Sequence, residues 1–228
     1  MNIKTKGIVS HEVIGEALKA YSYRRLPGFS KGVIHSRDVA NYRSTVDTIV
    51  WLLPAEKGSV SCCFLLKLLK AAIIVDSGQM AREQLVRQIG QQLEEASVND
   101  LLIRAAEGED VMYDVDTVEK IVKEFLMQDQ NAEFELEENE VQEIRRPGIL
   151  TDASKLMVAK LIDAYLAEIA KDPNLPLSKF VDLAEMVSCI SRPAHDGLYR
   201  AIDMYLKVRI LPKSIFFNAH QIGIYIIL

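Results

Sequence analysis

Residues 61–72 read Ser-Cys-Cys-Phe-Leu-Leu-Lys-Leu-Leu-Lys-Ala-Ala, and their spacing decides the fold class. Phe64, Leu65, Leu68, Leu69 and Ala72 recur at intervals of three and four, while Lys67 and Lys70 take the other side of the same cylinder. Apolar positions at a period near 3.6 with charge opposite them predict an amphipathic helix with one buried face. Alternation with period two, the mark of a half-buried strand, is absent.

The same logic extends in both directions. Leu85, Val86, Ile89 and Leu93 stand against Arg82, Glu83, Arg87, Gln88 and Gln92. Further apolar sets are Val115, Val118, Val122 and Phe125, then Leu161, Ile162, Tyr165 and Ile169, then Leu198, Ala201, Ile202, Tyr205 and Leu206. Pro27, Pro54, Pro147, Pro173, Pro176, Pro193 and Pro212 all fall between these segments, where a missing N–H and the ring clash are tolerated. Helices are predicted over about 11–26, 38–53, 60–75, 79–95, 97–105, 114–129, 152–171, 177–188 and 196–207. Asp116 and Glu119 have capping-box spacing, and Ser178 and Asp196 stand at expected helix starts, where a short polar side chain accepts from free backbone N–H groups.

Residues 130–149 break the pattern with six glutamates, Glu133, Glu135, Glu137, Glu138, Glu140 and Glu143, and then Arg145, Arg146, Pro147 and Gly148. Such a composition favours a solvated linker. The expected fold is therefore all-α: packed helical hairpins with short Pro-containing turns, in two lobes of about 1–129 and 150–207 joined by an acidic linker, 130–149. With 228 residues, 49% of them hydrophobic, the chain is long enough to bury a substantial core as one domain or two closely packed lobes.

Charge and composition narrow the function. A net charge of −5 and a pI near 5.5 supply no global basic field for a nucleic acid backbone. Cys62, Cys63 and Cys189 have neither a disulfide pattern nor a metal-ligand spacing, and His11, His35, His195 and His220 are scattered, so no metal or cofactor is expected. Unpaired cysteines suit a reducing cytosol. Met1–Ser10 carries no apolar core of a leader, and no run of about 20 apolar residues spans a bilayer. His195 beside Asp196 and the Cys62–Cys63 pair are the places where an enzyme would be sought. Asp196 is better explained as an N-cap and the thiols as core packing, because cysteine is among the most buried residue types. The basic stretch with Arg24, Arg25, Arg37 and Arg43, interleaved with Tyr21 and Tyr42, is a candidate contact for an acidic partner segment, a phosphorylated loop or anionic lipid, although a solvated helix face explains it better. Arg192, Asp196 and Tyr199 form a short tyrosine-phosphorylation pattern; spacing against Leu198 and Ile202 expects the Tyr199 ring, and that of Tyr205, in the core.

Four stretches carry a resemblance. They are Val50-Trp51-Leu52-Leu53-Pro54-Ala55-Glu56-Lys57-Gly58 running into 62–70, Leu93-Glu94-Glu95-Ala96 with Asp100-Leu101-Leu102-Ile103, residues 159–180 through Asp172-Pro173-Asn174-Leu175-Pro176, and Arg192-Pro193-Ala194-His195-Asp196-Gly197-Leu198-Tyr199-Arg200 on to Lys207. Over roughly 5–207 the chain resembles the helical domain of the plant non-phototropic hypocotyl 3 / root phototropism 2 family. The resemblance implies a protein-binding adaptor and no enzyme. It implies roles in phototropin blue-light signalling and protein ubiquitination, with phototropin-type kinases and other family members as partners. Cullin-3 would be reached only through a BTB domain, which this sequence is expected to lack. Localisation is expected to be cytoplasmic, with peripheral plasma-membrane association open. A truncated paralogue that competes with longer members is the alternative within protein binding. Residues 208–228 diverge from the family pattern as an apolar tail, for which translation into a retained intron is the expected origin.

Overall fold

Several helix starts in this chain are set by side chains that accept from the first turn. Ser10 accepts from the Val13 amide at 3.4 Å and opens α1 (His11–Arg25). Thr151 accepts from the Ser154 amide at 3.1 Å and opens α7 (Asp152–Ile169). Ser97 and Asp100 form a reciprocal capping box around the short α5 (Val98–Leu101), satisfying donors that the helix leaves free. The remaining helices are α2 (Val39–Leu52), α3 (Cys62–Ile74), α4 (Gln79–Gly90), α6 (Val115–Leu136), α8 (Leu177–Met186) and α9 (Asp196–Ile210), with a 3-10 turn at Leu93–Glu95. The computed structural model describes residues 10–29, 39–136, 150–188, 190 and 195–210, without the side chains of 39, 40, 129–136 and 210. Among these residues there is no strand, only an isolated antiparallel bridge between Arg104 and Tyr113. The all-α expectation holds.

Several expected details are displaced. The capping residue of α6 is Asp114, which accepts from the Thr117 amide at 3.0 Å and its hydroxyl at 2.6 Å; Asp116 lies inside the first turn and pairs with Lys179 at 2.8 Å. Helix α8 starts after Pro176, two residues before Ser178, since proline's fixed φ suits the entry to a helix. Asp196 is the first residue of α9, where its charge complements the dipole. The helix expected over 79–95 breaks into α4 and the 3-10 turn, and the one expected over 97–105 stops at Leu101. Beyond it the backbone pairs with itself, Asp114 N donating to Ile103 O at 2.9 Å and Ala105 N to Met112 O at 3.2 Å. Helix α6 runs on to Leu136, into the expected linker. Asn131 to Leu136 contains no Gly or Pro, and glutamate is a good helix former however well solvated. Residues 137–149 lie outside the described residues. At the other end α9 continues three residues past the expected 207, through Val208, Arg209 and Ile210. Arg209 sits 3.5 Å from the centroid of the Tyr205 ring and donates to Leu175 O.

Helix α3 forms the centre. Cys62, Phe64, Leu65, Leu66, Leu68, Leu69, Ala71 and Ala72 are all buried, a wider apolar surface than the single stripe read from spacing, because α2, α4, α5 and the 3-10 turn surround it. Helix α4 packs between α3 and α6. Gln84 and Gln88 of α4 and Gln92 just beyond it turn inward, where Gln84 donates to Val50 O at 2.9 Å, Gln88 to Pro54 O at 3.0 Å and Gln92 to Val60 O at 3.1 Å. The expectation that Gln88 and Gln92 face solvent is thus corrected: these amides pair carbonyls left unsatisfied at the end of α2 and in the loop after it. Gly15 of α1 lies against the Ser59 carbonyl, and any side chain there would collide with that loop's backbone.

Helix α7 packs on α9, on α8, on α5 and on the 3-10 turn, and α8 packs on α6. Buried residues on both sides of 137–149 belong to one cluster, including Ile121, Phe125, Ile162, Tyr165 and Leu166. Asp172, 2% exposed, reinforces the junction by accepting from the Met112 amide at 2.6 Å and the Asn174 amide at 2.9 Å. Asn174 in turn donates to Asp110 O at 2.7 Å.

Candidate protein-interaction surface

The last turn of α1 carries Arg24 and Arg25, both exposed, at the end of the helix where cations complement the dipole. The Arg25 guanidinium lies 5.8 Å from the centroid of the Tyr21 ring. Tyr23 is braced from below: its ring meets Phe29 edge to face at 5.2 Å, and Phe29 meets Phe64 of α3 at 5.8 Å. From α3, Lys67 reaches the Tyr23 hydroxyl at 3.3 Å with its ammonium 5.7 Å from the ring centre. That hydrogen bond, more than any other effect, raises the Lys67 pKa. Lys70, one turn further on, donates to Asn99 O at 3.0 Å, and burial lowers its pKa. The end of α1 and the outer line of α3 thus form a patch of cations over tyrosine rings, a composition suited to carboxylate or phosphate groups.

The four arginines read from the sequence are not one group. Arg43 of α2 pairs with Asp76 and donates through Nε to Val75 O at 3.2 Å, so it clamps α2 to the turn after α3. Val75 follows Lys67 by eight residues, roughly 12 Å along the helix, which separates Arg43 from the Arg24–Arg25 cluster. Arg37 lies outside the described residues.

Tyr199 is 48% exposed on α9, so the expectation of a core ring is corrected. The neighbouring Leu198 and Ile202 turn toward the core and leave Tyr199 on the outer side. Tyr205 is buried as expected, its ring 4.7 Å from Phe180 and its hydroxyl donating to Leu175 O at 3.3 Å. His195 is exposed, and its backbone carbonyl accepts from the Tyr199 amide at 3.0 Å. Cys62 is 1% exposed, and burial first, with Glu95 and Asp100 next, pushes its thiol up to about 12. Cys63 is half-buried, its Sγ 3.6 Å from Asp100 Oδ1, and its pKa is raised mainly by burial. Cys189 lies outside the described residues. Among those residues no group of three His, Cys, Asp or Glu converges as metal ligands, and no helix is long and apolar enough to cross a membrane.

A raised thiol pKa has two measurable consequences. In the native chain at pH 7, iodoacetamide should label Cys62 about ten-fold or more slowly than Cys63, because the thiolate is the nucleophile and only Cys63 is reachable; fragment-ion mass spectrometry separates the two, and equal rates would refute the burial of Cys62. Stability conferred by keeping Cys62 protonated is complete below its ordinary pKa of 9.0 and is lost as pH rises toward about 12.

A residue the sequence reading left without a role is the most exposed large hydrophobic side chain among those described: Trp51, 80% exposed on α2. Its position held the signal. Val46, Ile49, Val50 and Leu53 take the buried side, and Trp51 falls one and two turns after Asp47 and Arg43 on the polar side.

Comparison with known proteins adds to this geometry. Residues 1–210 match the NPH3 family. The chain belongs to the NPH3 family. Among similar proteins of Arabidopsis thaliana, the phototropic-responsive NPH3 family protein NPY2 is 64% identical over 212 residues, covering 91% of this chain and 33% of that protein. A BTB/POZ domain-containing protein is 43% identical over 238 residues, 90% of this chain and 38% of its own length. NPY1, also a phototropic-responsive NPH3 family protein, is 37% identical over 208 residues, 90% of this chain and 33% of its own length. The chain therefore spans about a third of the length of the NPH3-family relatives it matches. No solved structure matches it. The family match ends at Ile210, the residue at which α9 ends.

Proposed function

We propose that this NPH3-family chain is a non-enzymatic binding module of a plant signalling adaptor, acting in phototropin blue-light signalling and the ubiquitination that follows it. The observation that carries the reading is the family match over residues 1–210, together with relatives named as phototropic-responsive and BTB/POZ domain-containing. In this reading the module holds a kinase or a fellow family member in place. Arg24 and Arg25, the latter beside the exposed Tyr21 ring, contact acidic or phosphorylated segments. Cullin-3 is reached through a BTB/POZ relative. The site of action is the cytoplasm and the inner face of the plasma membrane, held there by partners. Exposure of Tyr199 supports a regulatory role, since phosphate would add a charge of about −1.5 to −2 on the outer side of α9 without entering the core.

The test is biolayer interferometry of the purified 228-residue chain against a phototropin-type kinase, NPY2 and the amino-terminal half of cullin-3. Saturable binding to the kinase or to NPY2 is expected, with cullin-3 captured only when a BTB/POZ relative is also present. Replacing Arg24 and Arg25 together by glutamate should weaken kinase binding about ten-fold or more, a loss ordinary for hot-spot arginines. Absence of binding to both the kinase and NPY2 would overturn the proposal.

A further inference from the structure

Helices α4 and α6 meet at Gly90, which lies against Ile121, Glu124 and Phe125. Ahead of that contact they border a groove of about 690 Å³. Arg82 and Arg87 line it from α4 and Lys120 from α6, with Leu69 of α3 beneath them. Arg87 and Lys120 are exposed and Arg82 is half-buried. Among the described residues none of these three cations has an ion-pair or hydrogen-bond partner. Two carboxylates share the lining, Glu83 and Glu124, and Glu83 already accepts from the Gln79 side-chain amide at 2.7 Å. The groove therefore keeps an excess of positive charge on cations that nothing holds.

The loop that leads into α6 has the opposite character. Glu107, Glu109 and Asp110 are exposed at its tip around Gly108, whose φ is +97°, and Arg104 lies at its base. The loop is tied down. Glu109 N donates to Ala106 O at 3.2 Å, Asn174 donates to Asp110 O at 2.7 Å, and Asp172 accepts from the Met112 amide at 2.6 Å. It supplies no residue to the groove of its own chain, and these bonds hold it away. A loop fixed in advance presents its carboxylates to another molecule with little ordering cost.

We propose that the groove receives this loop from a second copy of the chain, so that Glu107, Glu109 and Asp110 of one copy meet Arg82, Arg87 and Lys120 of the other. The charges are complementary, and arginine forks pair with carboxylates through charge-assisted hydrogen bonds. The loop runs into α6, whose first turn supplies Thr117 to the groove. Loop and groove are therefore neighbours on one chain, and a two-fold contact engages each of them twice and closes a dimer. The inference rests on the reading that this module holds a fellow family member, and it names the two surfaces that do so.

Sedimentation equilibrium of the 228-residue chain, at about 100 μM in about 50 mM NaCl where exposed charges are weakly screened, reads the contact. The weight-average mass is expected to rise from the 25.7 kDa of one chain toward twice that value with concentration. Raising NaCl to about 500 mM should weaken association about ten-fold or more. Two charge reversals act on opposite sides, Arg87→Glu with Lys120→Glu in the groove and Glu107→Lys with Glu109→Lys in the loop. Each should weaken self-association about ten-fold or more, and all four positions are exposed, so the circular dichroism melt should survive. Mixed in equal amounts, the two variants should pair with parental strength, because reversed groove meets reversed loop and parental groove meets parental loop. If the groove variant loses its melt, Arg87→Gln with Lys120→Gln takes its place and should weaken association about three-fold or more. A parent that stays at the mass of one chain, dimers indifferent to either reversal, or a mixture that does not pair overturns the dimer. The kinase and NPY2 assay reads separately. Binding there by a chain that does not self-associate removes the dimer and leaves the adaptor reading, and a dimer that obeys the exchange without binding either protein removes the adaptor reading alone.

Discussion

Gly90→Ala is expected to lower the stability of the domain by about 2–3 kcal/mol, a cost within the range for overpacking a well-filled crossing. Gly90 ends α4 where it crosses α6. A methyl group there would lie 2.5 Å from Glu124 Cβ, 3.1 Å from Ile121 O and 3.2 Å from Phe125 N. None of these atoms can swing aside, because a Cβ and two backbone atoms move only with their helix. The helix-propensity gain from alanine, at most about 1 kcal/mol and less at a helix end, does not offset the separation of α4 from α6. Gly78→Ser is the matched control: Gly78 is the N-cap of the same helix, an added Cβ meets nothing within 4 Å, and serine at that position should change stability by only a few tenths of a kcal/mol. Urea denaturation followed by circular dichroism measures both. A Gly90→Ala midpoint equal to that of the parent would mean that the two helices do not cross at this contact.

Phe29→Ala should cost about 3–5 kcal/mol, the usual range for removing a buried phenylalanine, which is a large part of the roughly 5–15 kcal/mol that holds a domain folded. Phe29 is 1% exposed and stands between Tyr23 and Phe64, edge to face with both. It is therefore the link between the core helix α3 and the end of α1 that carries Arg24 and Arg25. Its loss leaves a cavity and removes the support of the Tyr23 ring, so α1 amides should exchange with deuterium faster than those of α3 even where the domain remains folded. Phe29→Leu, which keeps most of the volume, should lose only about 1–1.5 kcal/mol. A Phe29→Ala variant with an unchanged midpoint and unchanged exchange in α1 would show that another contact holds this end.

The apolar spacing made most helices legible, and the errors share a cause. Asp116, Ser178 and Asp196 are polar residues near helix starts, but whether a carboxylate or a neighbouring proline opens the helix depends on which backbone the preceding turn presents; Asp114 and Pro176 win for that reason. Gln88 and Gln92 read as solvent-facing because polarity was taken as a proxy for exposure, whereas their amides serve carbonyls contributed by residues more than thirty positions away. Helix α6 passes the expected end near 129 and reaches Leu136, because glutamate supports a helix. Tyr199 was placed in the core by its neighbours' polarity, yet a one-residue step on a helix turns a side chain by about 100°.

The site divides the same way. The Arg24–Arg25 cluster was visible as composition, and its separation from Arg43 was not, because Arg43 finds Asp76 thirty-three residues along the chain. Trp51 was visible as a residue and invisible as a surface, since exposure depends on what packs against α2 and not on α2 alone. By itself the sequence determined the helical class, the boundaries marked by proline and the family, all of which rest on local spacing and short motifs. Tertiary structure alone decided which cations are free and which are clamped, which thiol is shielded, and that the Trp51 indole meets solvent. Those properties come from contacts between residues distant in sequence, and a pattern with a period of 3.6 carries no information about them.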